Sequence, residues 1–302
     1  VTSRWARLGP DAVAAVRGTV AGVRFARSVF APPREPLDRT PRDVGLTAET
    51  WSWSTSRDGL RVDAWFVPGS GPDAVVVAHG MGRSRASVLE HVALLHAAGL
   101  GVLAVDSRNH GTSAGNRRTW SLATRFTSDL CDAVARLRAD GRVTGRVGVL
   151  AFSFACWPAL RAARREGCPV DAVVCDSGPV PDMEAAVGRL AGLRAALLDD
   201  ALRHGVGRAS YVRAARRAFT LALAERAWPP TGDGPPVLLV AGGRDGVLPV
   251  ADVQALADAL PDARTWVVPR AGHLRALAVD PAGYADVVVG FLSGASVGRA
   301  GG

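Results

Sequence analysis

Five short apolar runs constrain this chain more than any other feature: residues 74–78 (Ala-Val-Val-Val-Ala), 101–105 (Gly-Val-Leu-Ala-Val), 147–150 (Val-Gly-Val-Leu), 172–175 (Ala-Val-Val-Cys) and 237–240 (Val-Leu-Leu-Val). A strand with one wet face alternates apolar and polar residues. A run that is apolar throughout must bury both faces, as strands do in a parallel sheet covered by helices on each side. Segments of helical periodicity separate the runs, at 86–98, 124–140, 154–165 and 250–260, and a last strand (265–269) and a terminal helix (280–292) close the series. This alternation predicts a doubly wound α/β sheet, mostly parallel. Ahead of it, 49–53 and 60–67 do alternate, and Arg57-Asp58-Gly59 supplies a turn between them, which predicts an antiparallel hairpin.

The alternation breaks once. Between Cys175 and Val237, residues 178–228 show helical periodicity and no strand; Leu190, Leu193, Leu197 and Leu198 make one apolar stripe, and Tyr211, Phe219, Leu221 and Leu223 suggest another. An insertion here is expected to lie over the carboxyl ends of the strands, where open α/β sheets bind ligands. We therefore expect a helical lid at 178–228, a core of 49–177 with 229–292, and an N-terminal helical extension and Pro-rich connector at 1–48. Residues 12–30 are rich in Ala and Val, but Arg17, Arg24 and Arg27 interrupt them. That is too charged for a membrane span or secretory core, so an amphipathic helix lying on the body of the protein is expected, without membrane association.

With 48% hydrophobic and 21% charged residues the chain has ample material for a core, and global disorder is excluded. The formal charge of +8 comes entirely from arginine, since the sequence holds no lysine. Together with abundant Ala, Gly and Val this points to codon bias in a GC-rich bacterial genome. The arginines are scattered and lack aromatic interleaving, which argues against a nucleic-acid partner. Cys131, Cys156, Cys168 and Cys175 show no paired spacing for zinc and fall mostly inside expected elements, so free thiols in a reducing cytoplasm are expected, and no metal.

Ser153 stands in Ala151-Phe152-Ser153-Phe154-Ala155, between the third apolar run and a helix. A strand, a sharp turn and a helix lift a hydroxyl clear of its backbone. Asp245, in Gly-Gly-Arg-Asp-Gly, and His273, in Arg-Ala-Gly-His, follow in the order serine, acid, histidine, one of three known chain orders for a catalytic triad. With His79-Gly80-Met81-Gly82 after the first parallel strand and Asp106-Ser107-Arg108-Asn109-His110-Gly111-Thr112-Ser113 after the next, the chain resembles the α/β-hydrolase family over residues 49–292. Alanines stand where the family's serine turn usually has two glycines, and Asn109 stands where the second loop usually has another.

The resemblance implies a cofactor-free enzyme in which Ser153 is the nucleophile, His273 the base and Asp245 the residue orienting it. Asp176, which ends the preceding strand, is the alternate acid. Backbone N–H groups of Met81 and Phe154 would form the oxyanion hole. His79 braces that loop or contacts substrate, Asp106 and Arg108 tie the second loop beneath the site, and Trp120 and Trp157 wall a pocket or fill the core. The expected substrate is a medium-sized, largely hydrophobic ester or thioester. Relatives in actinobacterial natural-product pathways act as thioesterases, acyltransferases or lyases that expel acetate from a tetronate ester, so transfer or elimination is an alternative outcome. Arg208, Arg213, Arg216 and Arg217 could then meet an acidic acyl carrier protein. A catalytically inert binding scaffold is the third reading.

Overall fold

In the computed structural model, which describes residues 9–116, 120–224 and 228–294, the expected runs form one eight-stranded sheet. Its strands are β1 (Glu49–Ser54), β2 (Arg61–Val67), β3 (Ala74–Ala78), β4 (Gly101–Val105), β5 (Val147–Phe152), β6 (Ala172–Asp176), β7 (Val237–Gly242) and β8 (Ala263–Val268), in the spatial order β1-β2-β4-β3-β5-β6-β7-β8. β1–β2 and β2–β4 pair antiparallel and all other neighbours pair parallel. Every residue of β3 to β7 is buried, whereas edge strands β1 and β8 are partly exposed. The uninterrupted runs are thus the central strands, shielded on both faces.

The chain divides into two units. One holds the sheet: residues 32–117, 123–181 and 226–302. The other consists of 1–31, 118–122 and 182–225. In the sheet unit, crossovers run through α2 (Leu89–Ala97), α3 (Leu122–Arg138), α4 (Cys156–Ala163) and α8 (Val250–Asp258). After β8 come short helical turns at Ala276–Val279 and Pro281–Tyr284, a π-helical stretch at Ala285–Val289 and a last turn at Gly290–Leu292. Strand order reverses at β3, whose two neighbours are β4 and β5. A crevice opens at such a reversal beyond the carboxyl ends of the strands. In-register pairs there, Ala78 with Ala151, Phe152 with Asp176 and Gly242 with Val268, set the following loops side by side.

The helical unit corrects the expected division. Helix α1 (Pro10–Phe30) is not an extension of its own: it packs with α7 (Gly205–Leu223), alongside α5 (Met183–Ala195) and the short α6 (Asp200–Arg203). Gly18 and Gly22 sit one turn apart on the buried side of α1. A Cβ at Gly18 would fall 2.2 Å from the Gly207 carbonyl oxygen, and one at Gly22 2.3 Å from that of Tyr211. The two backbones touch, which only glycine allows. Phe30 stacks on Phe219 at 4.9 Å between ring centroids.

The leucine stripe of α5 also differs from expectation. Leu190, Leu193 and Leu197 are exposed, while Ala186, Val187, Ala191 and Ala195 face the neighbouring helices. Ala191 and Ala195 pack against Tyr211 and Ala215 of α7, and the neighbouring glycines leave room for two of its arginines: a Cβ at Gly188 would lie 3.1 Å from Arg216 Cδ, and one at Gly192 3.2 Å from Arg208 Nη2. Leu221 is exposed as well, whereas Tyr211, Phe219 and Leu223 are buried as their spacing implied. Among the described residues, no helix is long and apolar enough to cross a membrane.

Candidate active site

β5 ends at Phe152, and Ser153 turns the chain with φ of 51° into a 3-10 turn (Ser153–Ala155) that leads into α4. A non-glycine residue in the left-handed region costs of order 1 kcal/mol and persists only where surrounding structure enforces it. Here the enforcing elements are the buried strand before it and the buried helix after it. Alanine at 151 and 155 is accommodated, both side chains being buried.

Two other loops converge on Ser153. Gly242 and Gly243 at the end of β7 let the histidine loop press close: Cβ atoms there would lie 2.6 Å from the Ala271 carbonyl oxygen and 2.4 Å from that of Pro269. Arg244 N–H donates to the Ala271 carbonyl at 2.8 Å, locking the acid loop to the histidine loop. As a result His273 Nε2 lies 3.0 Å from Ser153 Oγ, and His273 Nδ1 lies 2.7 Å from Asp245 Oδ2. The three side chains are thus brought into one hydrogen-bonded relay.

Asp245 is nearly inaccessible, with a side-chain exposure of 1%, while that of His273 is 30%. Burial pushes the Asp245 carboxyl up, but the hydrogen bond and charge of His273, then the Leu248 and Val247 amides, outweigh it and hold the group below the usual range. Those two amides donate to Oδ1 at 3.0 and 2.8 Å, leaving Oδ2 for the imidazole. An ionised carboxylate so placed orients the ring and stabilises an imidazolium.

Asp176 is not part of the relay. Ser177 Oγ–H donates to its Oδ1 and the Tyr284 hydroxyl to its Oδ2, each at 2.9 Å. Burial pushes this carboxyl up to about 6 even though both hydrogen bonds oppose the shift. Ser177 Oγ in turn accepts from the Leu274 N–H at 2.9 Å. The second acid therefore braces the backbone directly after His273.

The remaining predicted residues sort by position. The loop carrying Met81 lies against the serine turn, since a Cβ at Gly80 would be 3.4 Å from Ser153 Cβ. Phe154 follows Ser153 and packs edge-on against Phe126 at 5.2 Å between ring centroids. Trp157 is completely buried and lies tilted against the half-buried Trp228, with 5.9 Å between ring centroids, so it walls no open pocket. Trp120 belongs to the helical unit and is exposed. His79 is buried, with both ring nitrogens bonded to backbone, which gives it the bracing role. Asp106 accepts from the Arg85 backbone and guanidinium and from the Thr112 N–H, and Arg108 forks onto Asp129 and reaches Asp58.

Sequence reasoning missed Phe126, Trp228, and the Asp58 and Asp129 partners of Arg108. No local spacing announces them, because each arrives from an element distant in the chain. The void lined by Phe154, Phe126, Leu130 and Pro158 holds about 30 Å³, room for one water and not for a substrate. Among the described residues, no cluster of three or more His, Cys, Asp or Glu could hold a metal ion.

Comparison with known proteins agrees with this fold. An esterase of Pyrococcus furiosus superposes with a TM-score of 0.70 at 25% identity, covering 88% of this chain and 97% of that one. A thermophilic esterase from Thermogutta terrifontis (TM-score 0.58, 20% identity, 82% and 99% covered) and an esterase from Exiguobacterium antarcticum (0.59, 17%, 81% and 100%) share the fold. No curated protein matches the sequence. The profile of the alpha/beta hydrolase family matches residues 75–287, more than half of the chain and, but for the first residue of β3, the strands from β3 to β8, and the chain belongs to that family.

Proposed function

We propose that this protein is a serine hydrolase that cleaves an ester or thioester of a medium-sized hydrophobic acid or alcohol through an acyl-enzyme. The observation that carries the reading is the unbroken Ser153–His273–Asp245 relay, at 3.0 and 2.7 Å. A serine hydroxyl is a weak nucleophile until a neighbouring base takes its proton. His273 takes that proton as Ser153 Oγ attacks the carbonyl carbon, then passes it to the departing alcohol or thiol. The same imidazole next deprotonates water, which releases the acid and restores the serine. Negative charge on the carbonyl oxygen is met by the Met81 and Phe154 N–H groups, and losing one such donor typically costs about 3 kcal/mol. The esterases named above lend support by similarity, and four free thiols favour a reducing compartment.

The test is turnover of p-nitrophenyl esters together with labelling by a fluorophosphonate. Wild-type protein should do both and Ser153→Ala neither. Retained turnover in the variant would remove Ser153 from the mechanism, and an unlabelled, inactive wild type would favour an inert scaffold. In heavy-oxygen water hydrolysis labels the released acid, while elimination leaves it unlabelled.

One observation favours a carrier-bound substrate as a second reading. In the helical unit a groove of about 610 Å³ is lined by Arg208, Arg213, Arg216 and Arg217, with Glu184 the single acid in its lining, paired to Arg216 at 3.0 Å. An acidic carrier protein complements that charge. Arg213→Glu with Arg217→Glu should raise KM for an acyl-carrier thioester several-fold and leave KM for a free thioester unchanged.

A further inference from the structure

Two histidines outside the relay meet beneath the loop that carries the oxyanion donor. His79 begins that loop, and His110 comes from the loop after β4. Their rings lie 5.2 Å apart between centroids, and each is only 2% exposed. The bonds they make decide their tautomers. His79 Nε2 accepts the Ser107 N–H at 3.1 Å, so the ring proton sits on Nδ1, which donates to the Gly80 carbonyl oxygen at 2.7 Å. His110 Nε2 accepts the Gly82 N–H at 3.1 Å, so its proton also sits on Nδ1, which donates to the Arg108 carbonyl at 2.8 Å. An imidazolium could make only half of either set.

The positions of these bonds matter. The Gly80 carbonyl and the Met81 N–H belong to one planar trans peptide and point in opposite directions. A donor fixed on the carbonyl from below therefore aims the N–H the other way, and it also polarises that N–H into a stronger donor. The peptide on the other side of Met81, carrying the Gly82 N–H, is held by His110. Gly82 takes φ of 73°, so the loop turns sharply there and needs a fixed point.

Both rings are kept neutral by their surroundings. Burial holds His79 below its ordinary range, with Arg83 acting the same way and the Gly80 carbonyl, Asp106 and Glu35 acting against. Burial, then His79, push His110 down to about 4, with Arg34 adding to the effect and the Arg108 carbonyl and Asp106 opposing it.

We propose that His110 and His79 act as a two-point clamp, each pinning one of the peptides that flank Met81, and that His110 is a positioning residue which aims the Met81 N–H at the developing oxyanion. The proposal rests on the serine-hydrolase reading and adds a residue to it.

The experiment compares wild type with His110→Phe, which keeps an aromatic ring and loses the acceptor, and His110→Gln, whose amide oxygen can accept from Gly82. With a p-nitrophenyl ester, H110F should lower kcat about tenfold to a hundredfold with KM within about twofold, short of the roughly 10²–10³ seen when a donor is deleted outright. A trifluoromethyl ketone, which traps Ser153 as an oxyanion adduct, should weaken by the same factor, and H110Q should restore most of both losses. Nitrogen NMR of the wild-type imidazoles should show protonated Nδ1 and bare Nε2 on both residues.

Unchanged kcat in a folded H110F overturns the proposal. So does lost kcat with undiminished ketone binding, or an H110Q no better than H110F. Should H110F fail to fold, H110Q and the tautomers still decide: Nε2–H imidazoles would sink the clamp. A wild type that turns over no ester would remove the serine reading instead, and the tautomers would still report on the clamp.

Discussion

Replacing Asp245 and Asp176 each by asparagine separates the orienting acid from the bracing one. In Asp245→Asn the shape is kept, but the Val247 and Leu248 amides still require an oxygen at the Oδ1 position. The new NH₂ is therefore forced towards His273 Nδ1, now 2.7 Å away, and two donors face each other. The ring escapes by moving its proton to Nε2, where it can no longer accept the Ser153 proton. A wrong tautomer of this kind lowers kcat about 10⁴-fold, or roughly 5 kcal/mol. Asp176→Asn should change kcat less than about tenfold, because both oxygens of Asp176 are engaged by Ser177 and Tyr284.

The same pair separates in stability. Asp176 titrates at about 6 when folded, above the ~4 of an unfolded aspartate, so between those values the folded protein holds the extra proton. Stability from this group is complete below about pH 4 and is lost as pH rises through about 6, by roughly 3 kcal/mol at neutrality. The asparagine variant lacks that loss, so urea melts should show it gaining on wild type as pH rises from about 4 to about 7. An Asp176→Asn variant as inactive as Asp245→Asn, or a stability difference flat with pH, would refute the reasoning.

Ser153→Ala should lose on the order of 10⁴- to 10⁶-fold in kcat. Ser153→Gly should be equally inactive yet more stable than Ser153→Ala by about 1 kcal/mol in thermal melts, because φ at this position is 51°. Gly22→Val should destabilise the helical unit by roughly 1–3 kcal/mol or more, since a Cβ would sit 2.3 Å from the Tyr211 carbonyl; faster amide exchange in α1 and α7 is the measure. Asp58→Ala should cost roughly 3–5 kcal/mol in urea melts, because it takes a counter-charge from Arg108 and Arg125, both nearly inaccessible.

The central strands were legible because burial on both faces leaves an unmistakable pattern, and each predicted run lies within a strand of the sheet. The three relay residues lay within reach of the sequence for a related reason: Ser153 follows β5 directly, and Asp245 and His273 stand on the loops after β7 and β8, where the fold gathers its loops. The loop motif around Asp245 favoured it over Asp176, but the physical reason was hidden: Asp176 ends β6, whereas Asp245 stands on the loop beyond β7, and the close approach of Gly242 and Gly243 to the histidine loop brings it to the ring. The partner of α1 was hidden too. Gly18 and Gly22 announce that something comes close, yet the something is a helix beginning at Gly205. Periodicity likewise cannot show the 3-10 turns at Arg85–Val88 and Ser153–Ala155 or the π stretch at Ala285–Val289, where the hydrogen-bond step changes while the apolar face persists.

The glycine seam between α1 and α7 has a consequence for anyone who would recombine this scaffold. Its helical unit is assembled from segments roughly 180 residues apart, so it is not a cassette that can be lifted out between two loop boundaries. A chimera exchanging only 182–224 for a relative's insertion would strand α1 with a bare, notched face cut for a helix no longer there. The helical unit can be exchanged for a relative's only if the two segments travel together.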